Sequence, residues 1–246
     1  MLVELFEARV LMAGNVSITI ADGVFRLRGD AADNNVGLIA DSDTAEVFRV
    51  AAMEGTTITL NGRPYRNQEF SPGLLKQVVV EMGEGDDKFG ATGCAFFGLF
   101  AYSGENGSDS ISLTSVRIDG SAALRGAAGN DRFVFSQTTL SGDVTFDGGA
   151  GRDRLSIGGL SVAGSFAWTD RSQGSSFFAS KLTVRGDMTL ITGAGTDSIE
   201  MIRTAVFGDA RVATSDGDDV VVFRGCTFVT GKLVDVGFGR NIVEEV

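Results

Sequence analysis

The 246-residue chain has no histidine, and that absence removes much chemistry. Ser-His-Asp and Cys-His nucleophile systems are excluded, and so is any His-based zinc or iron site. Two cysteines are too few for a disulfide scaffold of this size. Two prolines beside 34 glycines fit neither a collagen-like nor a Pro-rich disordered chain. No apolar run reaches the length of about 18 residues that marks a transmembrane helix. Positive charge is also scarce: 21 Lys and Arg face 32 Asp and Glu, a net charge of −11. Phosphate binding needs a basic surface, so no nucleic-acid partner is expected. Acidic surfaces attract metal cations instead.

What the chain does have is a period. The stretch "GGAGRDRLSI" fits the G-G-x-G-x-D-x-U-x pattern of calcium-binding β-roll repeats. Its Asp153 has counterparts at Asp87, Asp109, Asp131, Asp197 and Asp219, all at multiples of 22 residues. Ser175 and Asn241 stand at the two remaining positions of that series. Written in rows of 22, the chain from Gln77 to Val246 needs no gap, and six consecutive rows, from Gly98 to Gly208, end in Gly.

Each row alternates apolar and polar residues three times, which is strand periodicity. One inward column reads Val80, Tyr102, Leu124, Phe146, Trp168, Leu190, Val212 and Val234. A second reads Phe89, Ile111, Phe133, Leu155, Phe177, Ile199, Val221 and Val243. A third reads Phe96, Ile118, Leu140, Val162, Val184, Val206 and Phe228. The pattern predicts an all-β right-handed parallel β-helix, a β-solenoid with three short strands per 22-residue rung, one Gly-rich turn and one single-Gly corner. No rung buries its apolar face alone, so stacked neighbours supply the core. Cys94 and Cys226 share one inward column six rungs apart, roughly 29 Å at strand spacing, and are expected to be free buried thiols.

Residues 16–76 leave the lattice. Segments such as "NVSITI", "VFRLR" and "TTITL" remain strand-like and predict irregular leading rungs, continuous with the regular repeats of 77–246. In residues 1–15, Leu2, Leu5, Phe6, Arg9 and Val10 fit a helical face, predicting a short cap over the first open rung.

The string "FEARVLMAGNV", Phe6 to Val16, resembles the L-E-P-R-x-L-L motif that opens many large secreted planctomycete proteins. Glu7, Arg9 and Leu11 fall on the motif, while Phe6 stands for its first Leu and Ala8 for its Pro. The later Gly-Asp turns resemble hemolysin-type calcium repeats. The resemblance implies a secreted or cell-surface bacterial protein.

The Asp column admits two readings. Each Asp can cap its own Gly turn by accepting backbone N–H bonds. Alternatively, Asp87, Asp109, Asp131, Asp153, Asp197 and Asp219 can hold calcium between stacked turns, with oxygens at ~2.4 Å. Lys88, Arg132, Arg152 and Arg154 beside the column can neutralise it without metal, which favours capping. "RGD" occurs at Arg28–Asp30 and Arg185–Asp187, but the second copy is explained by the neighbouring rows' "SGD" and "FGD".

A carbohydrate-active β-helix enzyme needs converging carboxylates on one outer face. The outward residues Val79, Ala101, Ala123, Thr145, Ala167 and Thr189 are small, and only Asp147, Thr169, Asp170 and Arg125 approach a cluster. The expected function is therefore a non-enzymatic structural or adhesive module of a surface or secreted bacterial protein. Its last rung is expected to be covered by a like subunit end to end, as in a filament, or by a larger parent chain or surface assembly. Calcium-binding repeats and a carbohydrate-active enzyme are the alternatives.

Overall fold

The structure, a computed structural model, describes residues 14–40, 47–172 and 174–246. The backbone winds through about eight stacked parallel coils, a β-solenoid that is almost devoid of helix. From Gln77 onward each strand pairs in parallel with the one 22 residues later, as in Val80↔Tyr102↔Leu124↔Phe146↔Trp168↔Leu190↔Val212↔Val234. Among the described residues the pairs assemble two long sheets.

The inward columns face one another across a continuous core in which Trp168, Phe146, Phe133 and Phe177 are fully buried. Burial fails only near the last rung, where Val234 and Phe228 are partly buried and Val243 is 46% exposed. Both thiols are free. Cys94 is buried, and burial pushes its thiol up to about 12. Cys226, placed toward the open end, is only half-buried rather than buried as its column predicts.

Two corners bend each rung. At the single-Gly corner the backbones of successive rungs touch: the Gly142 N–H donates to the Gly120 carbonyl at 2.8 Å. A Cβ at Gly120 would lie 2.0 Å from the Gly98 carbonyl oxygen, so a side chain there is excluded. The other corner carries glycine in only three of its seven positions. Ser115, Gln137, Lys181 and Arg203 adopt positive φ of 50–57° there, alongside Gly93, Gly159 and Gly225. In the middle rungs the chain keeps pairing through this bend, so the second and third strands merge into single nine-residue strands, Arg132–Leu140, Arg154–Val162 and Ser176–Val184.

The leading segment corrects the expectation of irregular rungs. Val24–Arg28 and Asn35–Ala40 do lie parallel on the first regular rung, through Leu27↔Val80 and Val36↔Phe89. Three further strands fold back antiparallel: Asn15–Ala21 on Val24–Arg28, Phe48–Ala52 on Asn35–Ala40, and Glu69–Phe70 on Phe48–Ala52, while Thr57–Leu60 lies parallel to Asn15–Ala21. Antiparallel hairpins occupy the backbone edge that further coils would otherwise present. Phe25, Phe48 and Phe70 pack beneath them at centroid distances of 5.2–5.5 Å. Most of the helix expected over residues 1–15 lies outside the described residues, and Asn15 already opens a strand.

Candidate functional site

The six column aspartates are buried to within 3%, and their side chains point across the stack rather than into their own turns. Each Oδ1 accepts the N–H of the residue one rung earlier. Asn34 donates to Asp87 (2.6 Å), Asp87 to Asp109 (2.9 Å), Asp109 to Asp131 (2.8 Å) and Asp131 to Asp153 (2.7 Å). Beyond the middle, Ser175 donates to Asp197 (2.6 Å), Asp197 to Asp219 (2.9 Å) and Asp219 to Asn241 (3.0 Å). Capping is thus the role of the column, but it is capping between rungs.

The second oxygen, Oδ2, has no hydrogen-bond partner in any of the six. It lies against the backbone five residues upstream. A Cβ at Gly104 or Gly126 would come within 2.2 Å of the Oδ2 of Asp109 or Asp131, so in those rungs only glycine fits five residues before the aspartate; Met82, Thr192 and Thr214 stand there before Asp87, Asp197 and Asp219. A carboxylate stripped of water on one oxygen holds its proton. Burial, ahead of the neighbouring acids, pushes Asp87 and Asp131 up to about 6 and Asp109 and Asp153 up to about 7, and raises Asp197 in the same direction.

Calcium takes six to eight oxygens at ~2.3–2.6 Å. Here one oxygen of each aspartate is committed to an N–H and the other is buried without a partner, in three of them against a glycine backbone. Among the described residues no three His, Cys, Asp or Glu side chains come together to hold a metal ion. The donor set does not fit a calcium cage.

Two further ladders escaped the sequence reading. After the single-Gly corner, Ser121 Oγ accepts the Asp143 N–H, Asp143 Oδ1 that of Ser165, Ser165 Oγ that of Asp187 and Asp187 Oδ1 that of Asp209. The signal was present as Ser or Asp after each corner Gly from Gly120 to Gly208, and it accounts for Asp187 of the second "RGD". Just before the aspartate column, Asp33 caps Asp86, Asp86 caps Ser108, Ser108 caps Asn130, and Asn130 caps Arg152.

The regular pattern breaks at one place. Position 175 carries Ser where the column wants Asp, and position 170 carries Asp where the three preceding rungs carry Gly104, Gly126 and Gly148 and the next two Thr192 and Thr214. Asp170 is fully buried, which corrects its expected place in an outer cluster; Asp147 and Arg125 remain outside, 3.8 Å apart. The Asp170 Oδ2 accepts from Ser175 Oγ (2.5 Å), and its Oδ1 accepts from the Ser172 N–H and Oγ. Asp170 thus reaches position 175 from the opposite side of the turn. No family model, curated protein or solved structure matches this chain.

Proposed function

We propose that the chain is a non-enzymatic structural or adhesive module of a secreted or cell-surface bacterial assembly, a right-handed solenoid of 22-residue rungs. The observation that carries this reading is the use to which the acids are put. The column aspartates serve as N–H acceptors inside the wall, and Asp170 is buried with them, so carboxylates that could converge on a substrate are spent on stacking. The small outward residues of the first sheet make a smooth face suited to lateral or end contacts.

The terminal rung supports assembly. Leu233, Phe238, Ile242, Val243 and Val246 are 46–84% exposed there, an apolar surface on an edge rung. Coverage by a like subunit end to end, or by further chain, would bury them. Light scattering of the full chain across a salt series tests this. Association that grows with concentration and salt, and is lost in Phe238→Asp, is expected; a monomer at every condition would overturn the end-to-end reading. Release of reducing ends from acidic polysaccharides would instead place the chain among carbohydrate-active enzymes.

A further inference from the structure

We propose that the rung 231–246 is a two-fold contact surface on which a second copy of this chain docks tail to tail. This rests on the end-to-end reading above and fixes the partner and its orientation.

The rung reverses the pattern that the earlier coils obey. Lys232 stands in the inward column that runs through Phe166, Met188 and Ala210, all buried. Glu245 stands in the column through Ala179, Met201 and Phe223, buried likewise. The two charges pair across the end of the core, and the Lys232 Nζ lies over the rings of Phe223 and Phe228, 4.5 and 5.2 Å from their centroids. The outward columns change in the opposite sense. Leu233 follows Thr189 and Arg211, and Phe238 follows Ala194 and Asp216; the two apolar side chains are 60% and 84% exposed. Large apolar groups gathered in water mark an interaction surface. A charge pair at inward columns does not suit an apolar coil laid over it, which would strip its water without offering a charge in return. An end face that carries the same pair does suit it.

The opposite end of the solenoid supplies no such mate. Among the described residues its two sheets close on Arg63–Pro64 and Glu69–Phe70, strands of two residues each. Pro64 has no N–H to donate, and Phe70 is already buried. Short edges that carry proline are blunted against pairing. The tail closes instead on Gly231–Asp235 and Ile242–Glu245, of five and four residues. A surface that matches itself makes a closed isologous dimer rather than a filament.

The coil runs out along Gly231–Asp235, through the turn that carries Phe238, and back along Ile242–Glu245, which is why Lys232 and Glu245 lie side by side. A two-fold axis in the end face, midway between these strands, sets each of them antiparallel on the other strand of the partner. Lys232 then faces the partner's Glu245, Glu245 faces the partner's Lys232, and the two Phe238 rings meet at the axis. The apolar side chains supply the burial, and the crossed charges fix the orientation.

Sedimentation equilibrium of the 246-residue chain tests this, with a mass that saturates at two copies as the expected result. Lys232→Glu and Glu245→Lys each set like charges face to face, and each should raise the dimer dissociation constant about tenfold or more. Mixing the two variants restores opposite charges at both crossings, so the mixture should associate more tightly than either variant alone. Both changes in one chain keep the pair with its signs exchanged; that double variant should fold and dimerise as the native chain does. A mass that grows past two copies would overturn tail-to-tail docking and leave the end-to-end reading standing, whereas a monomer at every concentration would overturn both. A mixture no tighter than its components would also sink the two-fold contact.

Discussion

Asn241 holds Asp219 as each column aspartate holds the residue one rung earlier. Its Oδ1 accepts the Asp219 N–H at 3.0 Å, and its Nδ2 donates to the Val236 carbonyl at 2.7 Å. The atom that replaces Oδ2 in this asparagine is a donor, and it bonds the backbone carbonyl five residues upstream. A protonated aspartate can do the same; an ionised one leaves two acceptors facing each other. Asn34 opens the column, so it begins and ends on an amide.

The isosteric exchange is therefore the informative one. Asp109→Asn should be close to neutral in stability at pH 5 and stabilising at pH 8, because it supplies the donor at every pH. Asp109→Ala should cost about 1–3 kcal/mol, the penalty of leaving the buried Asp87 N–H without an acceptor. Urea melts of the two variants at both pH values check this, and an Asn variant as damaging as the Ala variant would contradict it.

Stability of the native chain should fall as pH rises. The folded carboxyls of Asp87, Asp131, Asp109 and Asp153 lie above the ordinary unfolded value of about 3.9. Their stabilising contribution is complete below about pH 4 and is lost as pH passes through 6 to 7. A tenfold tighter hold on the proton in the folded chain, at only two of these carboxyls, is worth about 3 kcal/mol. That corresponds to roughly 6–12 °C in a chain of this length. Thermal melts from pH 4 to pH 8 should descend over that interval, and a rising curve would mean that the column is ionised.

Metal should not restore what high pH removes. With one oxygen of each aspartate bonded and the other sealed, millimolar calcium and chelator should give melting temperatures within about 1 °C of each other at pH 7.5. A calcium-dependent rise, lost in Asp131→Ala and Asp153→Ala, would return the column to the metal reading.

Trp168, fully buried with Phe146 and Leu190 as its register neighbours, sits among the aromatic rings of the core. Trp168→Ala should cost about 3–5 kcal/mol, and the native emission should be that of an apolar site. Quenching of Trp168 by iodide as fast as free indole would place the side chain outside.

Much of this was settled by the sequence. The 22-residue spacing of Asp153 and its counterparts, the columns through Trp168 and Phe133, and the Gly at the tight corner all follow from local rules: alternation selects a face, and close backbone approach admits only glycine. The repeat also located the aspartates. What they do was decided in three dimensions, because the N–H that Asp109 caps belongs to Asp87, and only stacking brings the two together and removes water from Oδ2. The second bend was illegible for a different reason, since Gln137, Lys181 and Arg203 take a left-handed conformation that their residue types do not advertise. The fold-back of Phe48–Ala52 onto Asn35–Ala40 left no periodic trace either. Asp170 shows the limit most plainly: beside Thr169 and Arg171 it reads as surface charge, yet the rung turns it inward, where Ser172 and Ser175 satisfy both oxygens.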